Sequence, residues 1–421
     1  MKKIKKIICI GIITIALLSF GIFNYSYADD MDEEENEIIS NNEIEEVSKN
    51  INTEPTLNSR KCAVYDRKSK MIIYGKNEDV KCAMASTTKI MTATVVLENV
   101  EDLNKIVTVT SKAAGTGGSR LGLKKNDKIT INDLLYGLML RSGNDAAVAL
   151  AIEVGGSVEG FATLMNQKAE NLGLVNTHFV TPHGLDNPEH YTTATELAKL
   201  TDYALKNKTF ANIVGTKNYT ITINGYAKAL NNTNELLGSL NGVVGVKTGF
   251  TNGAGRCLVT EVKRGDKDLI TIVLGADTKK DRTKDSIKLI EYAFSNFEKI
   301  NIKEQATEAF NKWKEINSDR IEIIKGKSDK IKLRLGNIEK TEILVSKEQL
   351  DNVKYEIKTI TSTEAPVQKG QQIGTLTISK NDDIIEIVDI VCDKTIEKKG
   401  WLDYFVENIK KCRTIFLYLY S

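Results

Sequence analysis

Ala83-Met84-Ala85-Ser86-Thr87-Thr88-Lys89-Ile90-Met91-Thr92 is the stretch on which the reading of this 421-residue chain turns. Apolar residues continue from Ile90 to Leu97 as a helix that opens just after Ser86. Positions i and i+3 share a helix face, so Lys89 can reach the Ser86 hydroxyl. A serine hydroxyl is a weak nucleophile and needs a base. A lysine of ordinary pKa, about 10.4, is protonated at neutral pH. Burial and a second cation would have to lower it by about 3 pH units, roughly 4 kcal/mol. S-x-x-K alone is a weak signal, because it arises often by chance in a lysine-rich chain.

Outward from this stretch lie two further triplets. Ser142-Gly143-Asn144 follows the helical pattern Ile131–Leu140 and precedes Asp145-Ala146-Ala147. A polar turn between two helices can present both side chains to a cleft. The same S-x-N pattern at Ser40-Asn41-Asn42 sits in an acidic run where it has no partner motif. Lys247-Thr248-Gly249 ends a strand pattern, Val243–Val246, and Lys247 supplies the second cation. A strand places Lys247 and Gly249 on one face and Thr248 on the other. A glycine on an edge strand lets a substrate backbone approach and add as a further strand.

S-x-x-K, then S-x-N, then K-T-G, each in the matching local structure, is a strong signal. The chain resembles the penicillin-binding, serine D-Ala-D-Ala carboxypeptidase family. The likeness extends over Lys61–Asn77, Ala83–Thr92, Thr177–Thr193 with Pro182-His183-Gly184-Leu185, Asn232-Thr233-Asn234, Gly245–Thr251 and Val367-Gln368-Lys369-Gly370. It implies an acyl-enzyme on Ser86, with Lys89 as its base and Ser142 passing a proton to the leaving D-Ala. It implies that Asn144 holds Lys89 and a substrate amide, and that Lys247 and Thr248 of the K-T-G triplet bind the terminal carboxylate. Gly249 belongs to the same substrate-binding strand. The N–H groups of Ser86 and Phe250 would form the oxyanion hole, and Arg282 would lie near the carboxylate end. An exposed arginine at a helix start is the competing reading of Arg282. The implied partners are peptidoglycan stem peptides as substrate and β-lactam antibiotics as covalent inhibitors, with no cofactor.

The rest of the chain sets the architecture. Helix and strand patterns intermix over 58–299, which predicts an α+β catalytic domain of antiparallel sheet and packed helices. The resemblance makes it a β-lactamase/transpeptidase-like fold. Strict alternation in Lys330–Leu335, Tyr355–Ile360 and Ile384–Ile390 predicts a small all-β sandwich over 300–396. Trp401, Phe405, Ile409, Cys412, Phe416 and Leu419 recur at helical spacing with lysines among them, so 399–421 is expected to be an amphipathic helix lying on a membrane surface. A helix docked on the preceding domain is the alternative. Residues 1–28 combine a basic start, an apolar run and small Ser26 and Ala28, and read as a secretory signal, with an uncleaved anchor as the alternative. An exported enzyme at the outer face of the cell membrane and in the wall is the expected location. The acidic stretch 29–57 reads as a disordered spacer.

Composition excludes several classes. Lys plus Arg is 58 against 56 for Asp plus Glu, which gives no basic excess for nucleic acid. His178, His183 and His190 lack an acidic ligand pattern apart from Glu189, so no metal is expected. Six cysteines, one inside the signal, do not make a disulfide framework; a Cys62–Cys82 pair stays open. A β-lactamase would carry Ser-Asp-Asn at 142–144 and an E-x-x-L-N segment before Lys247, and neither is present. A D,D-endopeptidase on cross-links would share the chemistry. A non-catalytic wall-binding protein would have no use for Ser86 and Lys89 together.

Overall fold

The computed structural model describes residues 39–49 and 53–419, so the expected signal segment lies outside the described residues. Five antiparallel strands form the central sheet: β1 (Lys61–Asp66), β2 (Met71–Lys76), β3 (Val243–Thr251), β4 (Gly255–Arg264) and β5 (Lys267–Ala276). Their order is β2-β1-β5-β4-β3, which leaves β3 at an edge. The strand at 243–246 stands where the sequence places it, inside β3. Side-chain alternation explains why both faces are buried. Cys62, Val64, Leu269 and Val273 pack to one face, and Ala63, Tyr65, Ile270 and Ile272 to the other.

The second face carries the helical half. Helix α2 (Lys89–Asn99) runs through its middle and is buried from Lys89 to Val96. Helix α3 (Ile131–Leu140) starts where the Thr130 side chain accepts from the N–H of Asp133, and α4 (Asn144–Gly155) ends on Gly156 in the left-handed conformation. The first face is covered by α5 (Lys279–Asn296), capped by Thr278. Its first turn is lysine-rich and has little apolar signal, so only the cap marks the true start.

The acidic stretch is not wholly a spacer. Helix α1 (Asn41–Ser48) begins in a capping box in which Ser40 and Glu43 satisfy each other's backbone N–H groups. Ile39 and Ile44 bury beside Leu236, Leu237, Ile287 and Ile290, and Lys280 pairs with Glu43 at 2.6 Å. The two isoleucines are masked in composition by the surrounding carboxylates, which is why the segment reads as unfolded.

A separate core holds the C-terminal module. Its four-stranded antiparallel sheet orders Leu333–Leu335, Asp383–Cys392, Gln372–Lys380 and Val353–Thr359. The all-β expectation for 300–396 omitted α6 (Ile302–Asn317), a helix whose Ile302, Ala306 and Phe310 fill this core. Their i, i+4, i+8 spacing is legible, but strand alternation downstream dominates the segment. Helix α7 (Trp401–Leu419) follows, with Trp401, Leu402, Phe405 and Ile409 each more than half exposed. No single helix among the described residues is long and apolar enough to cross a membrane. Cys62, Cys82, Cys257, Cys392 and Cys412 are all free thiols.

Because Phe310 belongs to the second core alone, Phe310→Ala should destabilise that module by about 3–5 kcal/mol. Calorimetry should show the C-terminal transition moving down while the transition of the larger core stays in place. A joint shift of the whole unfolding curve would contradict two separate cores.

Candidate active site

Ser86 sits in a 3-10 turn, Ala85–Thr88, that leads into α2. The turn is held by its own threonines. The Thr87 hydroxyl donates to the Met84 carbonyl at 2.6 Å, and the Thr88 hydroxyl to the Ala85 carbonyl at 2.8 Å. Ala85 has φ +48°, a region that costs a residue with a side chain of order 1 kcal/mol and is found at functional sites. Segment 182–185 packs against it. A Cβ on Gly184 would lie 1.9 Å from the Ala85 carbonyl oxygen, so only glycine fits there.

The turn brings Ser86 over Lys89. Lys89 is fully buried, and its Nζ donates to Ser86 Oγ at 2.8 Å, to Asn144 Oδ1 at 2.7 Å and to the His183 carbonyl at 2.9 Å. Asn144 opens α4, and its own Nδ2 donates to the Gly117 carbonyl at 2.8 Å. The amide orientation follows: the oxygen faces the ammonium and the NH2 faces a carbonyl. Ser142, also at positive φ (+60°), is 1% exposed, and its hydroxyl has no hydrogen-bond partner among the described residues.

Edge strand β3 closes the other side. Lys247 and Thr248 are both buried. Thr248 Oγ1 is 2.7 Å from Thr233 Oγ1, which joins the strand to the Asn232-Thr233-Asn234 turn. A Cβ on Gly249 would lie 3.0 Å from the Ser86 nitrogen, so β3 and the serine turn are in backbone contact. Phe250 stacks under the Arg256 guanidinium, 3.7 Å from its ring centre. Hydrogen bonds join Ser86, Lys89 and Asn144, β3 lies against the serine turn, and Lys247 Nζ donates to the Thr248 carbonyl at 2.9 Å.

Arg282 is not an exposed helix-start residue. It is 1% exposed, and its Nη2 donates to Glu235 Oε1 at 2.5 Å, which also accepts from Thr283 at 2.6 Å. Arg282 lines a cavity that Thr233 and Lys279 also line.

Several residues outside the three triplets hold the site together. The carboxylate of buried Asp145 accepts from the N–H groups of Leu121, Gly122 and Leu123 at 2.8–2.9 Å, pinning the loop before α3. His190 accepts from the Val180 N–H on Nδ1, so Nε2 carries the proton toward Thr88 Oγ1 at 2.8 Å. The adjacency of Asp145 to Asn144 was the only sequence clue. The histidines are structural, and among the described residues no group of three His, Cys, Asp or Glu could hold a metal ion.

Burial, and then the Lys89 charge, push the His183 imidazole down to about 3. Burial, and then His178, push His190 down to about 4. Both values fall below the unfolded value of about 6.5, so both rings are neutral in the fold. Their stabilisation is fully present above about 6.5 and is lost as pH falls toward the folded values. Tm should therefore drop steadily between about pH 6.5 and 4, and His190→Gln should flatten that slope. An unchanged slope in the variant would exclude His190 as its source.

Comparison with known proteins agrees with this geometry. A family profile described as D-alanyl-D-alanine carboxypeptidase matches residues 48–278, more than half of the chain. A second, described as penicillin-binding protein 5, C-terminal domain, matches 307–398. The chain is 34% identical to the D-alanyl-D-alanine carboxypeptidase DacF of Bacillus subtilis, over 82% of this chain and 88% of that protein. It is 36% identical to DacC of Escherichia coli, over 82% and 86%. The crystal structure of the D-alanyl-D-alanine carboxypeptidase DacD from Francisella tularensis superposes with a TM-score of 0.68 at 27% identity, covering 83% of this chain and 97% of that one. The Streptomyces K15 DD-transpeptidase gives 0.56 at 38% identity, covering 58% and 99%. With the buried lysine, the paired serine and the glycine-bearing edge strand in place, the chain belongs to the family of serine D-alanyl-D-alanine carboxypeptidases.

Proposed function

We propose that Ser86 attacks the carbonyl carbon of the D-Ala-D-Ala peptide bond at the end of a peptidoglycan stem peptide. The observation that carries this reading is the buried Lys89 side chain, whose Nζ lies 2.8 Å from Ser86 Oγ. In its neutral form Lys89 takes the serine proton as the C–O bond forms. The N–H groups of Ser86 and Phe250 receive the oxyanion, each worth about 3 kcal/mol in such a role. Lys89 then gives up this proton to Ser142 as Ser142 passes its own to the departing amine, so the C–N bond breaks, D-Ala leaves as a neutral amine, and the acyl group stays on Ser86. Water hydrolyses the ester and restores the hydroxyl.

Binding follows the same geometry. The stem peptide adds to the free edge of β3, where Gly249 leaves room for its backbone. Asn144 holds Lys89 through Oδ1 and meets a substrate amide. Lys247, Thr248 and Arg282 take the terminal carboxylate. A β-lactam presents a strained amide and a carboxylate to the same groups and acylates Ser86.

The wider assignments belong to the same reading. Residues 58–299 form the catalytic unit and 300–396 a spacer. Residues 1–28 direct export, and α7 lies in the membrane interface with the exposed stripe of Trp401, Leu402, Phe405 and Ile409. The chain then works at the outer face of the cell membrane, on the wall.

Labelled penicillin should attach to the purified protein and be lost in Ser86→Ala; labelling that persists at another residue would sink the mechanism. Removal of residues 401–421 should move the protein from the membrane to the soluble fraction with its penicillin labelling intact. Unchanged sedimentation would end the anchoring role of α7.

A further inference from the structure

A cavity of about 1180 Å³ opens beside Thr233, on the Thr248 side of the cleft, and none of Gly249–Thr251 lines it. Seven cationic side chains face it against one carboxylate, Glu235. Glu235 is already engaged by Arg282. Arg120, Lys124, Lys125 and Arg141 have no ion-pair partner among the described residues. Arg282 keeps a buried Nε without a partner among them. A concave wall of one sign concentrates potential and recruits polyanions. The backbone of the loop that carries Arg120, Lys124 and Lys125 is fixed by Asp145, and Lys228 Nζ donates to its Leu121 carbonyl, so the loop keeps these exposed side chains at the cavity wall.

The chain itself carries a matching polyanion. Residues 29–38, Asp-Asp-Met-Asp-Glu-Glu-Glu-Asn-Glu-Ile, hold seven carboxylates in ten positions. The next residue, Ile39, is anchored among Leu236 and Leu237, the immediate neighbours of Glu235. Helix α1 is tied to α5 through Glu43 and Lys280, and α5 supplies Lys279 and Arg282 to the cavity wall. Ten extended residues reach about 33–36 Å, so the tether sets the local concentration of carboxylates in the millimolar range or above.

We propose that the acidic run 29–38 is the ligand of this cationic cavity, a built-in polycarboxylate that competes with the terminal carboxylate of the substrate. The binding half of this proposal stands on the charges alone. The competition half rests on the carboxypeptidase reading of Arg282 and Thr248.

The test uses the mature chain with all seven carboxylates between 29 and 37 replaced by amides, and a labelled synthetic peptide of residues 29–38. By fluorescence anisotropy the peptide should bind this chain at low salt. Its affinity should fall about tenfold or more on adding Arg120→Ala, Lys124→Ala and Lys125→Ala together, and likewise in about 0.5 M salt. Equal binding of a fully amidated peptide, or undiminished binding to the triple variant, would overturn the site. In hydrolysis of an acyl-D-Ala-D-Ala peptide, the amide chain should show a severalfold lower KM than the native chain at low salt, with kcat unchanged. Peptide binding with equal KM values would overturn the competition. If neither chain hydrolyses the peptide while the anisotropy result holds, the catalytic reading fails and the cavity assignment survives. Tighter binding of a polyphosphate than of the acidic peptide would assign the cavity to an external wall polymer and overturn the intramolecular ligand.

Discussion

A lysine ammonium withdrawn from water governs the organisation of this molecule. Burying a charge without partners is prohibitive, so the fold must bring acceptors to it. Three oxygens do so from three separate pieces of chain: the serine turn, the start of α4 and the 182–185 segment. Each acceptor fixes the position of a different element. The same bonds that make Lys89 tolerable therefore align Ser86 with Asn144. Stability and chemistry share one set of contacts, and neither can be altered without the other.

The backbone around this centre is shaped by close approaches rather than by large side chains. Gly184 lies against the Ala85 carbonyl, and Gly249 against the Ser86 nitrogen. Ala85 and Ser142 accept left-handed conformations on either side of the cleft. Such strain persists only where the surroundings over-determine it. Here the surroundings are the threonine bonds of the serine turn and the buried helices α2, α3 and α4. The central sheet contributes a stiff edge, since β3 is backed by β4, whose first eight residues, Gly255–Val262, are buried.

Much of this was legible in the sequence. The three triplets are separated by more than fifty residues each, yet their order and local context point to one cleft, and the helices and strands that carry them are strongly periodic. What escaped the sequence shows why. Arg282 was placed near the cleft only through the resemblance; its burial beside Glu235, 47 positions away, leaves no periodic signal in the sequence. Helix α1 was hidden because acidic composition outweighs two isoleucines, although its Ser40–Glu43 box is a recognisable start signal. Helix α6 was hidden by alternating strands that follow it. Hydrogen bonds from side chain to distant backbone, such as Lys89 to His183, leave no periodic trace at all.

The loop over Asp145 has a consequence for how such an enzyme can diversify. Its backbone N–H groups at 121, 122 and 123 are committed to a buried carboxylate, while the exposed side chains at 120, 124 and 125 line the cavity wall. Substitution at 120, 124 or 125 can therefore change the charge of the cavity wall while the backbone bonds to Asp145 stay in place. The backbone of this loop and the charge of its side chains are therefore set by separate parts of the chain.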